Sequence, residues 1–332
     1  VIIRAGLSET VKKSLRLSDN KIAKTEFDSR LLKKELADLR CDLEFDLNLT
    51  GFDMSEINKI LCIGGDEQTP EFKDAEATEL EADAFHVQLG DIWACGEHRI
   101  LCGDSTDGGA LAYLLDGHKP QIMVTDPPYG VKYDPTERKK TDKNGEVVKA
   151  SNNNLKHGLV ENDNQADWSY AWIHFEGAVA YVWHADKFTS TVQASLEKFK
   201  LIKRNTIIWN KSNHAISHGD YHYKHEPCLY AVREGVPSNR TDDRTQSTVW
   251  DINEREDKRH GHPTQKPIEC MARPIKNHTF SEVYDPFLGS GTTLIAAENL
   301  GRRCFAVELN PRYVSIALAR WKKLTGKEPV KK

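Results

Sequence analysis

From residue 86 onward, short apolar runs repeatedly end in polar, often acid-bearing turns, and that rhythm restricts the fold more than any other feature of the chain. "HRILCGD", "QIMVTDPPYG", "GAVAYVWHA", "NTIIWNK", "EPCLYAVR", "EVYDPFLGSG" and "RRCFAVELN" alternate with amphipathic segments. Runs this short are strands, and strands separated by helical patterns predict an α/β fold: a mainly parallel, twisted sheet with helices on both faces. In open sheets of that kind, ligands lie beyond the carboxyl ends of the strands. Three predicted strand ends carry acids there, Asp104, Asp126 and Asp285. Chemistry is expected to gather at those three positions.

Two of these ends carry distinctive turns. "VYDPFLGSGTTLIAAENLGRRCFAVELNP" (283–311) reads as a strand, a tight turn at Gly289 and Gly291, a helix from about Thr292 and a second strand ending on Glu308. Glycine lets the backbone approach a ligand closely, and a helix N-terminus offers N–H groups with no partner inside the helix. An acid at the end of the following strand can accept both hydroxyls of a ribose. No lysine follows the turn, which argues against a P-loop. The second turn is "IMVTDPPYG" (122–130), where Pro127 and Pro128 fix φ and stiffen the backbone next to Asp126.

Together these motifs resemble the S-adenosylmethionine-dependent amino-methyltransferases that act on DNA, with their Asp-Pro-Pro-Tyr tetrapeptide and "DPFxGSGTT" turn. The order here, catalytic motif first and cofactor turn last, is similar to the permuted β group. "CGDS" (102–105) and "HPTQKP" (262–267) match two further motifs, and the resemblance covers roughly 86–322. It implies a Rossmann-like methyltransferase fold and transfer of a methyl group from S-adenosylmethionine to N6 of an adenine flipped out of double-stranded DNA. The exocyclic amine is a poor nucleophile because its lone pair is delocalised into the ring. Asp126 and the Pro127 carbonyl would accept its two N–H bonds and stabilise the charge that develops on nitrogen. Pro128 would help to fix the backbone, and Tyr129 would stack on the extrahelical base.

The remaining roles are also carried by the resemblance. Asp285 would bind the methionine amino group, and Phe287, Gly289, Ser290, Gly291 and Thr292 would form the turn around the cofactor. Glu308 would hold the ribose, Asp104 the adenine amino group, and Thr264 and Lys266 the methionine carboxylate. Trp209 is open between stacking on the base and plain core packing. Cytosine N4 and RNA are the alternative targets, and a ParB-like, non-catalytic DNA-binding regulator is the alternative of a different class. A homodimer and a cognate restriction endonuclease are partners that the sequence leaves open.

The net charge of −4 conceals a division. Residues 1–85 hold 12 Lys and Arg against 19 Asp and Glu, whereas the rest holds 34 against 31. The basic clusters "ERKKTDK" and "KFKLIKR" permit phosphate contacts. Residues 1–62 predict a helical extension, with Leu31, Leu32, Leu36 and Leu39 at helical spacing. "RLSDNKIAKTEFDSRLLKKELADL" and "LTGFD" resemble the tail of a ParB-like domain. Residues 63–85 read as an acidic linker and 86–325 as the methyltransferase domain, with 131–166 and 236–260 as candidate DNA-recognition loops. A start at Val1 rather than Met leaves an upstream piece open.

Seven scattered cysteines without a C-x-x-C pair predict reduced thiols in a cytoplasmic protein. No apolar run is long enough to span a membrane. His218, His222, His225 and Glu226 have spacings that a metal site could use. The same segment aligns with a histidine-rich motif of the resembled family that holds no metal, so none is expected here.

Overall fold

The computed structural model describes residues 8–22, 29–40, 47–53, 56–57, 60, 72–75, 77–131, 139–141, 147–149, 163–215, 220–243, 245–252 and 265–332. The chain divides into two compact units, Val1–Glu71 with Asp242–Ser247, and Phe72–Thr241 with Thr248–Lys332.

The first unit contains helices α1 (Glu9–Ile22) and α2 (Ser29–Arg40), followed by a single 3₁₀ turn at Leu47–Thr50. Leu32, Leu36 and Leu39 fall on one face of α2 and pack with Leu17, Phe52 and Ile57 into a small core. Leu31, one position off that stripe, is exposed.

The second unit is built on one ten-stranded sheet. Its strands are β1 (Ile92–Cys95), β2 (His98–Cys102), β3 (Ile122–Thr125), β6 (Val179–Trp183), β7 (Leu201–Ala215), β8 (Tyr223–Arg233), β9 (Val249–Asp251), β10 (Glu282–Asp285), β11 (Arg303–Glu308) and β12 (Val330–Lys331). The spatial order is β12-β1-β2-β11-β10-β3-β6-β8-β7-β9. The central strands β2, β11, β10, β3 and β6 are parallel, and antiparallel pairs flank them. Side chains alternate between the two faces, as the period of two requires. Ile122, Val124, Cys304 and Ala306 enter one core, and Met123, Phe305 and Val307 enter the other.

Helices cover both faces. α4 (Gly108–Leu115), α5 (Ser169–Trp172) and α6 (Thr189–Glu197) contribute to the Met123 side. α7 (Ile268–Lys276), α8 (Thr292–Asn299) and α9 (Pro311–Thr325) contribute to the Ile122 side. This is the Rossmann-like arrangement expected of the strand rhythm, as a mixed, mainly parallel sheet.

Two stretches differ from their sequence expectation. The acidic linker assigned to 63–85 holds, from Phe72 on, structure belonging to the second unit. Phe72 and Phe85 pack on its core, and α3 (Glu79–Asp83) is capped reciprocally by Thr78 and Glu81. Lys323 of α9 pairs with Glu81 at 3.1 Å, and Arg312 pairs with Asp83. Eight acids in 64–84 read as solvated chain, yet several of them face basic residues of α9. Within 131–166, where no period is evident in the sequence, β4 (Lys139–Thr141) and β5 (Val147–Lys149) form a small antiparallel pair.

Candidate active site

β10 and β3 are neighbours at the centre of the sheet, but the chain leaves them in opposite directions, from β10 to β11 on one side and from β3 to β6 on the other. The crevice beyond such a pair is where open α/β sheets bind ligands. A cavity of about 310 Å³ opens there. Its lining includes Asp104, Asp126, Pro127, Pro128, Tyr129, Lys266, Phe287, Gly289, Ser290, Thr292 and Glu308. Parallel registry sets Val283 against Ile122 and Tyr284 against Met123, so Asp285 ends its strand two residues short of the level of Asp126 on the neighbouring one. Thr125 Oγ1, at the end of β3, donates to Asp285 Oδ1 at 2.7 Å and ties the two strand ends together.

Around Asp126 the site is densely charged. Tyr129 Oη donates to Asp126 Oδ1 at 2.7 Å and lies 3.2 Å from Glu226 Oε2. Lys266 Nζ lies 3.1 Å from Asp126 Oδ2, 2.7 Å from Glu226 Oε2 and 2.7 Å from Tyr129 Oη. Lys211 pairs with the other Glu226 oxygen. Lys266 is only 4% exposed, whereas Asp126, Glu226 and Lys211 keep about a fifth of their side-chain surface open, 20%, 17% and 18%. Burial pushes the Asp126 carboxyl above the ordinary range, and Lys266 opposes that rise. Burial acts on Glu226 in the same sense, but Lys266 and Lys211 overcome it and hold the group down to about 2.

The proline loop is braced from a direction the sequence did not reveal. Trp168 Nε1 donates to the Pro128 carbonyl at 3.0 Å. Asp163 Oδ1 accepts from Gly130 N at 2.7 Å and Val131 N at 3.1 Å. Gly130 has φ +74°, and a Cβ there would come 2.8 Å from the Gln165 backbone. Asp163 and Trp168 thus pin the far end of the long 131–166 segment against the tetrapeptide. A Pro-Pro-Tyr-Gly turn needs such external partners because its prolines bring no N–H of their own, but their position along the chain carries no local signal.

The glycine-rich turn is fixed on both sides. Gly289 N donates to Glu308 Oε2 at 2.8 Å, and Asn310 N to Glu308 Oε1 at 2.8 Å, so the β11 acid anchors the β10 turn. Gly291 caps α8 with φ +95°, and a Cβ on it would lie 2.8 Å from Ala317 Cβ. Only glycine permits both that φ and that contact with α9. Phe287 packs against Trp168, with ring centroids 4.7 Å apart. Asp285 is 1% exposed, and burial raises its carboxyl to about 6, against hydrogen bonds from Thr125 and Phe287 N. Asp104 Oδ1 accepts from Thr106 N and Oγ1, both at 2.8 Å. Behind the turn, the buried Arg320 of α9 donates to the Ser290 carbonyl at 2.7 Å and pairs with Asp74 at 2.9 Å. Ser290 Oγ reaches Gln265 Oε1 at 3.0 Å.

Residues 121–319 match the family model described as DNA methylase, of N6/N4 type. The chain belongs to the DNA methylase family. Residues 30–88 match the ParB-methyltransferase HTH domain. The methylase is 28% identical over 238 residues to the type II methyltransferase M2.LlaDCHI of Lactococcus lactis subsp. cremoris, covering 63% of this chain and 86% of that one. It is 32% identical over 141 residues to M2.DpnII of Streptococcus pneumoniae, covering 37% of this chain and 52% of that one. Among solved structures, M1.HpyAVI in complex with SAM aligns at TM-score 0.48 with 22% identity, over 66% of this chain and 96% of that one. The cytosine-N4-specific PvuII DNA methyltransferase aligns at TM-score 0.49 with 15% identity, over 68% and 86%.

Not every residue singled out in the sequence reaches the methylase cavity. Trp209 is a correction: it is 1% exposed, its Nε1 donates to the Ile252 carbonyl at 3.0 Å, and its ring packs edge-on against Trp183. It stands in the core beneath the flanking strands, because the alternation of β7 turns it inward, and the base-stacking role does not stand for it. Lys266, assigned to a cofactor carboxylate, lines the cavity and contacts Asp126 and Glu226. Gly291 and Asp285 lie behind the cavity wall rather than on it. Thr264 and His218 lie outside the described residues, as does all of 253–264. Glu226, considered as a metal ligand, is surrounded by lysines, and His225 lies 4.0 Å from Asp186. Among the described residues no group of three or more His, Cys, Asp or Glu side chains is arranged to hold a metal. Cys95, Cys102, Cys228, Cys270 and Cys304 are buried free thiols. Among the described residues no helix is long and apolar enough to cross a membrane.

Proposed function

We propose that this methylase transfers a methyl group from S-adenosylmethionine to N6 of an adenine turned out of duplex DNA. The observation that carries the reading is the shared cavity: a carboxylate beside a proline-stiffened backbone faces the same space as a glycine-rich turn anchored by an acid on the next strand. The site suits the cofactor chemically. Asp104 is an acid in the lining for an amino group, Glu308 is an acid beside the turn for a ribose, and Phe287 and Leu288 offer apolar wall; Asp285, buried directly behind that wall, would act on the methionine amino group. The volume lies at the lower end of the ~300–1,000 Å³ typical of small-molecule sites. Gly289, Ser290, Gly291 and Thr292 would carry the backbone around the cofactor, with Thr264 completing the set. S-adenosylmethionine, when bound, supplies an electrophilic methyl group on a sulfonium.

The protein's own residues prepare the nucleophile. Asp126 accepts an N–H of the target amine and the Pro127 carbonyl accepts the other, so that the nitrogen lone pair is drawn out of the ring. Trp168 occupies the Pro128 carbonyl, which fixes the loop with the acceptor pair in place. Burial raises the proton affinity of Asp126, which lets its carboxylate take the proton that the amine sheds as its new N–C bond forms. Tyr129 offers its ring to the extrahelical base while its hydroxyl orients Asp126. Adenine is favoured over cytosine by the Asp at the head of the tetrapeptide, since the cytosine-N4 members of the family usually carry Ser there. The relatives' names support a place in restriction-modification, and the match at residues 30–88 supports DNA as the polymer bound.

Digestion of duplex DNA to nucleosides after incubation with methyl-labelled cofactor tests the reading. N6-methyldeoxyadenosine is expected with the wild type, and none with Asp126→Ala, which should still bind the cofactor. Label appearing as N4-methyldeoxycytidine would move the target to cytosine, and no label in DNA would overturn the assignment.

A further inference from the structure

The target amine would have to enter a place that another nitrogen already holds. Lys266 Nζ sits 3.1 Å from Asp126 Oδ2, within the range over which a donor contacts that carboxylate. Its near contacts include Glu226 and Tyr129, each at 2.7 Å. Resting on the methyltransfer reading above, we propose that Glu226 is a positioning residue: it holds the Lys266 ammonium beside Asp126 as a stand-in for the target amine and retains it when that amine arrives.

Three physical points support this. An ammonium has three donors, so leaving Asp126 gives up one partner while the Glu226 and Tyr129 contacts persist. Glu226, on β8, faces Lys211 as well as Lys266, and the two lysines hold its carboxyl down to about 2 against the effect of burial. A carboxylate alone in a site this shielded would tend to bind a proton and lose its power to accept from an amine, and burial does push Asp126 that way. Lys266 opposes that protonation in the empty site. The other titratable groups facing Asp126 work the other way or are neutral. Glu226 and Asp285 repel its charge, Tyr129 hydrogen-bonds it, and the Cys228 and Cys270 thiols are held neutral by burial. The pair of lysines and the pair of carboxylates form one balanced cluster, in which Asp126, Lys266 and Glu226 line the cavity and Lys211 stands outside its lining.

Five forms of the full chain decide the matter: wild type, Lys266→Met, Glu226→Gln, Glu226→Asp and the Lys266→Met/Glu226→Gln double variant. The double variant removes both members of a buried pair and leaves neither of them as an orphan charge, so it guards against loss of folding. The ¹³C titration of the Asp126 carboxyl, without DNA or cofactor, should move up by about one pH unit or more in Lys266→Met, and by less in the double variant, where the Glu226 repulsion is lost as well. The acid limb of the kcat profile should move with it. Glu226→Gln leaves Lys266 to Asp126, so kcat/KM on duplex should fall at least tenfold, mainly through KM for DNA, and Glu226→Asp should restore part of it. Calorimetric affinity for the cofactor should stay within twofold of wild type throughout. An unmoved Asp126 titration in Lys266→Met would overturn the proposal. So would a tenfold loss of cofactor affinity in that variant, which would place Lys266 on the cofactor carboxylate. Wild-type protein that methylates no DNA would instead sink the functional reading, and the carboxyl titration would still report on the lysine.

Discussion

At the scale of the residue, Asp285 shows how burial makes an acid useful. Its carboxyl is raised to about 6 because the site removes water from it, while Thr125 and the Phe287 amide soften the effect. A raised carboxyl binds its proton more tightly in the folded protein than in the unfolded chain. Its contribution to stability is therefore present at low pH and lost as pH rises through about 6. Binding a cationic amino group works in the opposite sense, since only the ionised acid attracts it. Cofactor affinity is accordingly expected to strengthen as pH rises through about 6 and then level off, which calorimetry across that interval would measure. In Asp285→Asn the affinity should be weaker and this pH dependence absent. The Trp168 indole permits a smaller test. Trp168→Phe keeps much of the packing on Phe287 and removes the donor to Pro128, which should cost about 0.5–1.5 kcal/mol in urea unfolding. It should reduce kcat more than cofactor affinity, since the tetrapeptide, not the glycine turn, loses its brace.

At the scale of the element, the cofactor turn depends on a segment remote in sequence. α8 is held at both ends by residues 73–75. Lys73 and Asn299 exchange hydrogen bonds, Lys73 N to Asn299 Oδ1 at 3.0 Å and Asn299 Nδ2 to Lys73 O at 2.9 Å. Asp74 neutralises Arg320, whose guanidinium also holds the Ser290 carbonyl at the opposite end. Arg320 is 2% exposed, and removing one partner of a buried pair typically costs ~3–5 kcal/mol because the other charge is left without water. Asp74→Ala is therefore expected to lower the thermal midpoint and to weaken cofactor binding, with faster amide exchange at 289–292. Asp74→Glu should recover part of both. Unchanged exchange in that turn would show that the brace ends at the helix.

At the scale of the whole molecule, the boundary near Phe72 separates two tasks. A chain beginning at Phe72 keeps α3, the Arg320 partner and the complete sheet. It should bind the cofactor within twofold of the full chain, whereas one beginning at residue 86 should bind it poorly. The chain from Phe72 lacks most of the segment that matches the HTH domain, so its affinity for duplex should fall, and the dependence of that affinity on salt should become shallower as phosphate contacts are lost. An unchanged salt slope would assign DNA binding to the second unit alone.

Much of this was readable along the chain because the signals are local. Alternation within β3, β10 and β11, the φ demanded at Gly291 and the prolines after Asp126 are settled by a residue and its immediate neighbours, so the sheet and a large part of the cavity lining could be named from the sequence. The Thr78–Glu81 capping box was equally local, but the acids around it concealed it. What only the tertiary structure decided involves partners brought together from afar: Lys266 beside Asp126, Glu226 beneath both, Asp163 and Trp168 on the proline loop, Asp74 on Arg320, and Trp209 turned into the core. Charge pairing and burial are properties of a place in space, and no spacing along a chain encodes which distant side chain will share a dry site.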